Sequence, residues 1–251
     1  MMKIKIHNIG SGSKGNATFI SDGETNILID LGLTRERIIS GLNEINVTLD
    51  EIDYAFFTHD HSDHIKNYDL IDENKRYALE GTIPLDEKHI LRPYKEYKFN
   101  TFIIEPISTS HDATNPCGYI LKSGDEKVVY LTDSGRIPIK TFRKMNDADI
   151  YFIESNFDEV MLFHSGRPAF LIERIYSNHG HLSNSQSATY MAKLISNKTK
   201  KIVLAHISED CNTPEIAIAT HRKIYEEYGL SLNDIELVYA KQWESLTLWL
   251  R

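Results

Sequence analysis

The chain has 251 residues, of which 41% are hydrophobic and 25% charged, an ordinary composition for a globular protein with a buried core. Its formal net charge of −8 argues against a basic surface that tracks along duplex nucleic acid, and favours a small substrate or a nucleic-acid end held locally. Two cysteines are too few for a disulfide framework, so the composition also indicates a reducing compartment.

The N-terminal segment has the pattern of a strand. Residues 1–7 alternate between apolar and polar side chains and contain no long apolar stretch. We therefore expect neither a signal peptide nor a membrane span, and we predict a cytoplasmic protein. Cys117 and Cys211 do not form a CxxC pair, so we interpret both as core or loop residues.

Strand patterns dominate the first sixty residues. A glycine- and serine-rich turn occupies residues 11–16, and residues 34–43 predict an amphipathic helix capped by Thr34. The last strand of this part leads directly into a cluster of histidines and aspartates. The predicted strands are residues 3–9, 17–21, 26–30 and 53–58.

The remainder of the chain mixes strands with helices, and most of the helices come late. Residues 68–98 show little periodicity and predict short strands with a helix near Asp86. The later predicted strands are residues 101–108, 118–122, 127–131, 150–153, 202–205, 235–239 and 246–250, and the later helices are 137–145, 158–163, 168–176, 185–195 and 214–228. No repeat or linker divides the chain, so we predict one domain spanning residues 1–251, an α/β sandwich with helices on its outer faces.

Four side chains of the metal-binding type lie within six residues, directly after the strand at 53–58: His59, His61, Asp63 and His64. Neutral imidazoles and carboxylates are the usual ligands of zinc and similar divalent ions. Residues i and i+2 of an extended segment share a side, so His59 and His61 can converge on one ion. Asp63 and His64 lie past the turn and can face a second ion. The spacing argues against a chance cluster on a solvated loop.

Three further candidate ligands, His111, Asp133 and His206, stand at the ends of predicted strands. Strands that end in ligands let a rigid scaffold present metal chemistry on loops. Taken singly, each of the three could be a structural polar residue. Taken with the cluster at residues 59–64, they complete two coordination spheres.

These motifs resemble the metallo-β-lactamase superfamily, whose pattern is HxHxDH followed by a His, an Asp and a last His. The resemblance extends over nearly the whole chain and implies an αββα sandwich, with two mixed β-sheets flanked by helices and two divalent metal ions, zinc or manganese, at one edge. The implied ligands are His59, His61 and His111 for the first metal, Asp63, His64 and His206 for the second, and Asp133 bridging both. Asp30, at the end of a strand, matches the residue that braces the histidine loop.

Within the superfamily the chain resembles the YycJ-like branch, which is related to tRNase Z, RNase J and the phosphodiesterase PhnP. The matching segments are residues 11–16 (SGSKGN), 110–113 (SHDA), 180–184 (GHLSN) and 204–214 (LAHISEDCNTP). The YycJ-like pattern has a Glu-x-Asn-His stretch, whereas this chain reads ESNF at residues 154–157. Phe157 therefore replaces a histidine. We interpret it as an aromatic residue of the core or of a lid, in preference to one that stacks on a base.

The resemblance implies hydrolysis of a phosphodiester bond. A two-metal site lowers the pKa of a bound water to about 7 and neutralises negative charge that develops on the phosphoryl group. His181 precedes a predicted helix and resembles the HxT-type histidine of tRNase Z. It is the candidate for donating a proton to the leaving oxygen or for contacting a phosphate. Asp63 is the second candidate catalytic residue. Ser11, Asn16 and Asn212 lie in turns that the family places near the metals. They are candidates for hydrogen bonds to the phosphate of a substrate, or to groups that support the metal ligands.

Two substrate classes follow from the same resemblance. The acidic charge, and a chain too short for the extra domain of RNase J, favour a small cyclic nucleotide, as in the phage anti-Pycsar phosphodiesterases that evade cyclic-nucleotide immunity. The alternative is a YycJ-like exonuclease acting on DNA or RNA ends. A metallo-hydrolase of a thioester or lactone is a more remote alternative. Because relatives are often dimers, we expect a homodimer that binds a nucleotide or nucleic-acid substrate and no membrane.

Overall fold

The computed structural model describes residues 4–249, which form two compact units. The first unit comprises residues 4–108, 113–126 and 241–249, and the second comprises residues 109–112 and 127–240. Between residues 4 and 249, 14 strands belong to two mixed sheets, and seven α-helices accompany them. The predicted α/β class with two mixed, helix-flanked sheets is confirmed. The single domain spanning residues 1–251 stays a prediction.

The first unit contains one complete sheet. Its strands are β1 (Lys5–Gly10), β2 (Ala17–Ser21), β3 (Asn26–Ile29), β4 (Tyr54–Phe57), β5 (Arg76–Leu79), β6 (Ile90–Leu91) and β14 (Leu246–Trp249). They follow the order β14-β1-β2-β3-β4-β5-β6, antiparallel from β14 to β3 and parallel from β3 to β6. Because β3 and β4 are parallel neighbours, the residues that follow them, Asp30 and Thr58, lie at the same edge of the sheet.

Helix α1 (Arg35–Asn43) covers part of this sheet. Thr34 caps it as predicted, since the Thr34 hydroxyl oxygen accepts a hydrogen bond of 3.2 Å from the backbone N–H of Arg37. Its buried residues Ile38 and Leu42 pack with strand residues such as Phe19 in one apolar cluster. The first unit also contains the single-turn helix α2 (Ser62–Ile65) and an antiparallel meander of β7 (Tyr97–Phe99), β8 (Phe102–Ser108) and β9 (Cys117–Ser123).

The second unit is built on parallel strands. They are β10 (Glu126–Leu131), β11 (Ile150–Glu154), β12 (Lys201–Ala205) and β13 (Glu236–Tyr239). Its helices are α3 (Ile139–Met145), α4 (Glu159–Phe163), α5 (Ala169–Tyr176), α6 (Asn184–Leu194) and α7 (Pro214–Glu227). Parallel strands bring their carboxyl ends to one edge, where ligands bind in open α/β sheets. Asp133, Glu154 and His206 lie at that edge.

Most predicted elements agree with the structure to within one or two residues at each end. The helix predicted near Asp86 is instead a single 3-10 turn, Glu87–His89. The predicted strands at 3–9 and 246–250 each include one residue, 3 or 250, outside the described part of the chain. Among the helices described between residues 4 and 249, none combines the length and the apolar character needed to cross a membrane.

Candidate metal centre

The first unit assembles a cluster from one short segment, the histidine loop (residues 58–64), which follows β4. The ring of His59 lies 4.7 Å from that of His61 and 4.0 Å from that of His64, measured between centroids. His64 lies on α2, and its Nε2 atom is 3.6 Å from Asp63 Oδ2. His59 and His64 are buried, whereas His61 and Asp63 are partly exposed. The structure thus brings together the four candidate ligands of this segment.

Asp30 holds the histidine loop in place. Its carboxylate accepts hydrogen bonds of 2.9 Å from both the backbone N–H and the hydroxyl of Thr58, and lies 2.8 Å from His64 Nδ1. Complete burial raises the pKa of Asp30, and the His64 ring and the two Thr58 donors oppose that rise. The bracing role expected of Asp30 therefore has a clear structural basis.

Ser11 and Asn16, two of the predicted substrate contacts, are buried in the turn at residues 11–16, here called the Gly/Ser loop. Asn16 Oδ1 accepts hydrogen bonds from the Gly12 N–H at 2.9 Å and the Ser11 hydroxyl at 3.2 Å. Asn16 Nδ2 donates to the Gly12 carbonyl at 3.0 Å and lies 3.0 Å from His64 Nε2. The contact between Asn16 and His64 ties the Gly/Ser loop to the histidine loop. A direct substrate contact by Ser11 or Asn16 stays a prediction.

The second unit assembles a cluster from residues distant in the sequence: His111, Asp133, Glu154, His181 and His206. Asp133 is central, since its Oδ1 atom lies 3.3 Å from His206 Nδ1, 3.7 Å from His181 Nδ1 and 3.9 Å from His111 Nε2. Asp133 and His206 follow β10 and β12 with positive φ angles of 54° and 53°. Such backbone costs about 1–3 kcal/mol per residue and persists only where the surrounding structure enforces it, typically at functional sites.

Glu154, the last residue of β11, is the buried hub of this second cluster. Its Oε1 atom lies 2.7 Å from His181 Nδ1 and 3.0 Å from His206 Nδ1. Its Oε2 atom accepts hydrogen bonds from the backbone N–H groups of Ser134 (2.9 Å) and Leu182 (3.0 Å). Burial raises the pKa of Glu154, but the charge of His181 and the hydrogen bonds from His181 and His206 outweigh that effect and lower the pKa to about 2. Sequence reasoning missed this role, although a glutamate ending an apolar strand was a usable signal.

His111 and His181 are both held through Nδ1. His111 Nδ1 lies 2.9 Å from the carbonyl oxygen of Gly180 and therefore donates to it. Burial lowers the pKa of His111 against the opposing charge of Asp133, which favours the neutral ring that a metal ion binds. His181 has 18% of its side chain exposed and is held by Glu154.

Asn212, the third predicted substrate contact, belongs to a buried network behind the second cluster. Its Nδ2 atom donates to the carbonyl oxygens of Ser155 and Asn156 at 3.0 and 3.1 Å. Its Oδ1 atom accepts hydrogen bonds of 2.9 Å from Asn184 Nδ2 and from the Thr213 N–H. These contacts give Asn212 a structural function, and its contact with substrate stays a prediction.

Phe157 and the two cysteines are core residues. Phe157 is fully buried and packs with Leu162 and Cys211, so it cannot stack on a base, and the core interpretation is confirmed. Cys117 is buried with its Sγ atom 3.4 Å from the Thr58 carbonyl oxygen, and burial raises the pKa of its thiol to about 12. Both cysteines are buried, which confirms their interpretation as core or loop residues.

The two clusters fit divalent metal ions. Metal-binding histidines characteristically donate their second ring N–H to a carboxylate or a backbone carbonyl. His64 shows this arrangement with Asp30, His206 with Glu154, and His111 with the Gly180 carbonyl. In the second unit, potential ligand atoms of Asp133, Glu154, His181 and His206 all lie within 4.8 Å of one another. Imidazole and carboxylate donors suit zinc, manganese or iron.

Comparisons with known proteins agree with this chemistry. The sequence model of the Beta-lactamase superfamily domain matches residues 25–207. The exodeoxyribonuclease WalJ of Streptococcus pneumoniae is 35% identical over 230 residues, covering 84% of each chain, and the exodeoxyribonuclease YycJ of Bacillus anthracis is 31% identical over 239 residues, covering 90% of each. The solved metallo-β-lactamase fold protein YhfI of Bacillus subtilis has a TM-score of 0.73 at 16% identity, covering 98% of this chain and all of YhfI.

The chain therefore belongs to the β-lactamase superfamily, and its fold is the metallo-β-lactamase fold. This membership confirms the resemblance predicted from the motifs and the class of enzyme, a metallo-hydrolase. The similarity to anti-Pycsar enzymes, the homodimer and the cytoplasmic location stay predictions.

Proposed function

We propose that this metallo-hydrolase cleaves phosphodiester bonds at DNA ends, as an exodeoxyribonuclease. The observation that carries the proposal is the 35% identity with WalJ across 84% of both chains, in a protein that retains both histidine clusters. A cyclic nucleotide is the second candidate substrate, favoured by the net charge of −8, which disfavours binding of a long polyanion.

We assign the metal ligands as the resemblance implies: His59, His61 and His111 to one ion, Asp63, His64 and His206 to a second, and Asp133 to both. The ions are zinc or manganese in this proposal. Bound divalent cations supply Lewis-acid stabilisation of the charge that develops on a phosphoryl group. The arrangement within each unit supports the assignment, since buried partners orient His64, His111 and His206.

His181 is proposed to deliver a proton to the leaving oxygen. Its Nδ1 atom is held at 2.7 Å by Glu154, and its ring is partly exposed, so Nε2 is the atom available for proton transfer. Asp63, the other candidate catalytic residue, is also partly exposed. The proximity of Asp63 to His64 supports a role in binding the metal ion and in orienting the group that attacks the phosphate.

A first experiment measures hydrolysis of bis-p-nitrophenyl phosphate with manganese or zinc. We expect activity in the wild type and a loss of about 100-fold or more in His61→Ala and Asp133→Ala, because each change removes a proposed metal ligand. His164→Ala is the matched control, since His164 is exposed and, among residues 4–249, its side chain bonds only to Val160 of its own helix. A wild type inactive with both metals, beside variants that still bind two ions, would show that the assignment is wrong.

A second experiment separates the substrates under one metal condition. The panel contains single-stranded DNA, duplex DNA, 3′,5′-cyclic nucleotides and 2′,3′-cyclic nucleotides. We expect release of mononucleotides from DNA ends. Hydrolysis restricted to a cyclic nucleotide would replace the exonuclease proposal with the second candidate, and hydrolysis of neither class would contradict both.

A further inference from the structure

The tip of the Gly/Ser loop differs from its base. Ser11, Gly12, Gly15 and Asn16 are buried, whereas Ser13 and Lys14 between them are exposed. The two residues predicted to contact substrate therefore face the protein interior, and their neighbours in the same loop face solvent. The exposed pair is the part of this loop that a ligand in solution reaches first.

The position of the tip is fixed by the structure around it. The Lys14 N–H donates to Gln242 Oε1 and Gln242 Nε2 donates to the Gly15 carbonyl, both at 2.8 Å. A Cβ atom added to Gly12 would lie 2.4 Å from Gln242 Oε1, and one added to Gly15 would lie 2.6 Å from the Gly32 carbonyl oxygen. Such close packing presents the tip in one conformation, so a ligand would bind it with little loss of loop entropy.

The base of the Gly/Ser loop contacts the histidine loop. The Asn16 N–H donates to the Asp63 carbonyl at 2.8 Å, and the Gly32 N–H donates to the Asn16 carbonyl at 2.9 Å. Together with the Asn16–His64 contact, these bonds place the Gly/Ser loop directly against the histidine loop. Lys14 is only two residues from Asn16 in the chain, so its long side chain starts from a loop that is anchored to the histidine loop.

The charge at the tip is not neutralised internally. Within residues 4–249, the Lys14 ammonium forms no ion pair and the Ser13 hydroxyl forms no hydrogen bond. Other lysines are engaged, such as Lys122 with Glu96 and Lys241 with Glu244. In a chain of net charge −8, local cations must provide the attraction for a polyanionic substrate. Lysine is a common phosphate ligand, with a compact charge on a flexible stem.

We propose that Ser13 and Lys14 bind a phosphate of a polynucleotide substrate next to the phosphate that is hydrolysed. This inference rests on the proposed exonuclease function and specifies how the enzyme distinguishes a polymer from a mononucleotide. A cyclic mononucleotide or bis-p-nitrophenyl phosphate has one phosphate and leaves this subsite empty, whereas a DNA strand fills it.

The test compares Lys14→Ala with the wild type on single-stranded DNA and on bis-p-nitrophenyl phosphate. On DNA we expect KM to rise about three- to tenfold with kcat unchanged, and the plot of log KM against log salt to flatten by about 0.7, the value of one phosphate contact. On bis-p-nitrophenyl phosphate we expect wild-type kinetics. Lys14→Arg should restore the KM for DNA, because it retains the charge.

Lys98→Ala is the matched control. Lys98 is exposed on β7, where it pairs with Ile103 of β8. This strand belongs to a different sheet from β1 and β2, the strands that flank the Gly/Ser loop. This variant should leave both substrates unaffected. Wild-type kinetics of Lys14→Ala on DNA would overturn the subsite and leave the exonuclease proposal intact. Equal losses of activity on DNA and on bis-p-nitrophenyl phosphate would also overturn the subsite, because they would mean that Lys14 supports the structure of the loop. A wild type that hydrolyses bis-p-nitrophenyl phosphate but not DNA would overturn the exonuclease proposal and the subsite with it.

Discussion

The two clusters of this protein use the same kinds of side chain but are built in opposite ways. In the first unit, His59, His61, Asp63 and His64 come from one turn of chain after one strand. In the second unit, the ligand-type residues follow several strands far apart in the sequence, and a buried carboxylate joins two of them. A contiguous cluster depends on local geometry, whereas a dispersed cluster depends on the precise alignment of several strands.

The supporting carboxylates reflect this difference. Asp30 supports one histidine and the residue that begins its loop, Thr58. Glu154 supports two histidines, His181 and His206, and also two backbone N–H groups. The second cluster should therefore be more sensitive to the loss of its carboxylate than the first.

The largest expected effect comes from exchanging each carboxylate for its amide. We expect Glu154→Gln to lower kcat/KM for bis-p-nitrophenyl phosphate about 100-fold, and Asp30→Asn about tenfold, within the range for residues that orient metal ligands. The amide that replaces the Glu154 carboxylate presents one acceptor oxygen where the structure uses two. Metal affinity, measured by competition with a chelator, should fall in the same order.

Glu173→Gln is the control for the loss of charge, since Glu173 is exposed on α5. It should behave as the wild type. Equal losses in the Asp30 and Glu154 variants would contradict the view that the dispersed cluster depends more heavily on its carboxylate.

A smaller effect concerns His221, in the buried network behind the second cluster. Its Nε2 atom lies 3.2 Å from the Ser155 hydroxyl and its Nδ1 atom 2.8 Å from the Tyr225 hydroxyl. Burial lowers the pKa of His221 from 6.5 to about 3. Between these values the unfolded chain binds a proton that the folded chain does not, so stability is lost as the pH falls below about 6.5.

We expect His221 to account for about 2 kcal/mol of the fall in unfolding free energy between pH 7 and pH 5. Urea unfolding at pH 7 and at pH 5 measures this fall. The unfolding free energy of His221→Gln should depend less on pH by the same amount. His164→Gln, which changes an exposed histidine, should keep the wild-type dependence. If the unfolding free energy of His221→Gln depended on pH as the wild type does, the buried His221 would not be responsible for the loss of stability at low pH.

The smallest expected effect compares two helix caps. Ser183 caps α6 in a reciprocal capping box with Gln186 and lies two residues after His181, whereas Thr34 caps α1 in the first unit. Removing either cap, in Ser183→Ala or Thr34→Ala, should cost about 1 kcal/mol of unfolding free energy. Only Ser183→Ala should also lower kcat, by about two- to threefold. Ser183, which caps the start of α6, lies two residues after His181, so loosening this cap should disturb the position of His181. An equal loss of kcat in both variants would argue for a general effect of stability.

Local patterns explain why much of this molecule is predictable from its sequence. Alternation identified the strands, Thr34 marked the start of α1, and the spacing of residues 59–64 identified the first cluster. His111, Asp133 and His206 were identifiable because each follows an apolar strand. These features depend on neighbours in the chain, which a sequence displays directly.

The features that escaped prediction depend on distant contacts. The single turn of α2 is too short to show helical periodicity. The role of Glu154 exists only because His181 and His206 converge on it from other segments. The internal hydrogen bonds of the Asn16 and Asn212 amides also escaped prediction, since only three-dimensional packing reveals them. Their contact with substrate stays a prediction.

The burial of Cys117 and Cys211 has a practical consequence. The chain contains only these two cysteines, and both lie in its described, buried core. Maleimide reagents attack exposed thiolates, so neither native thiol competes for them. One cysteine introduced at an exposed position would take up a fluorophore selectively, and the emission of that fluorophore would report the arrival of a nucleotide in real time without removal of any native residue.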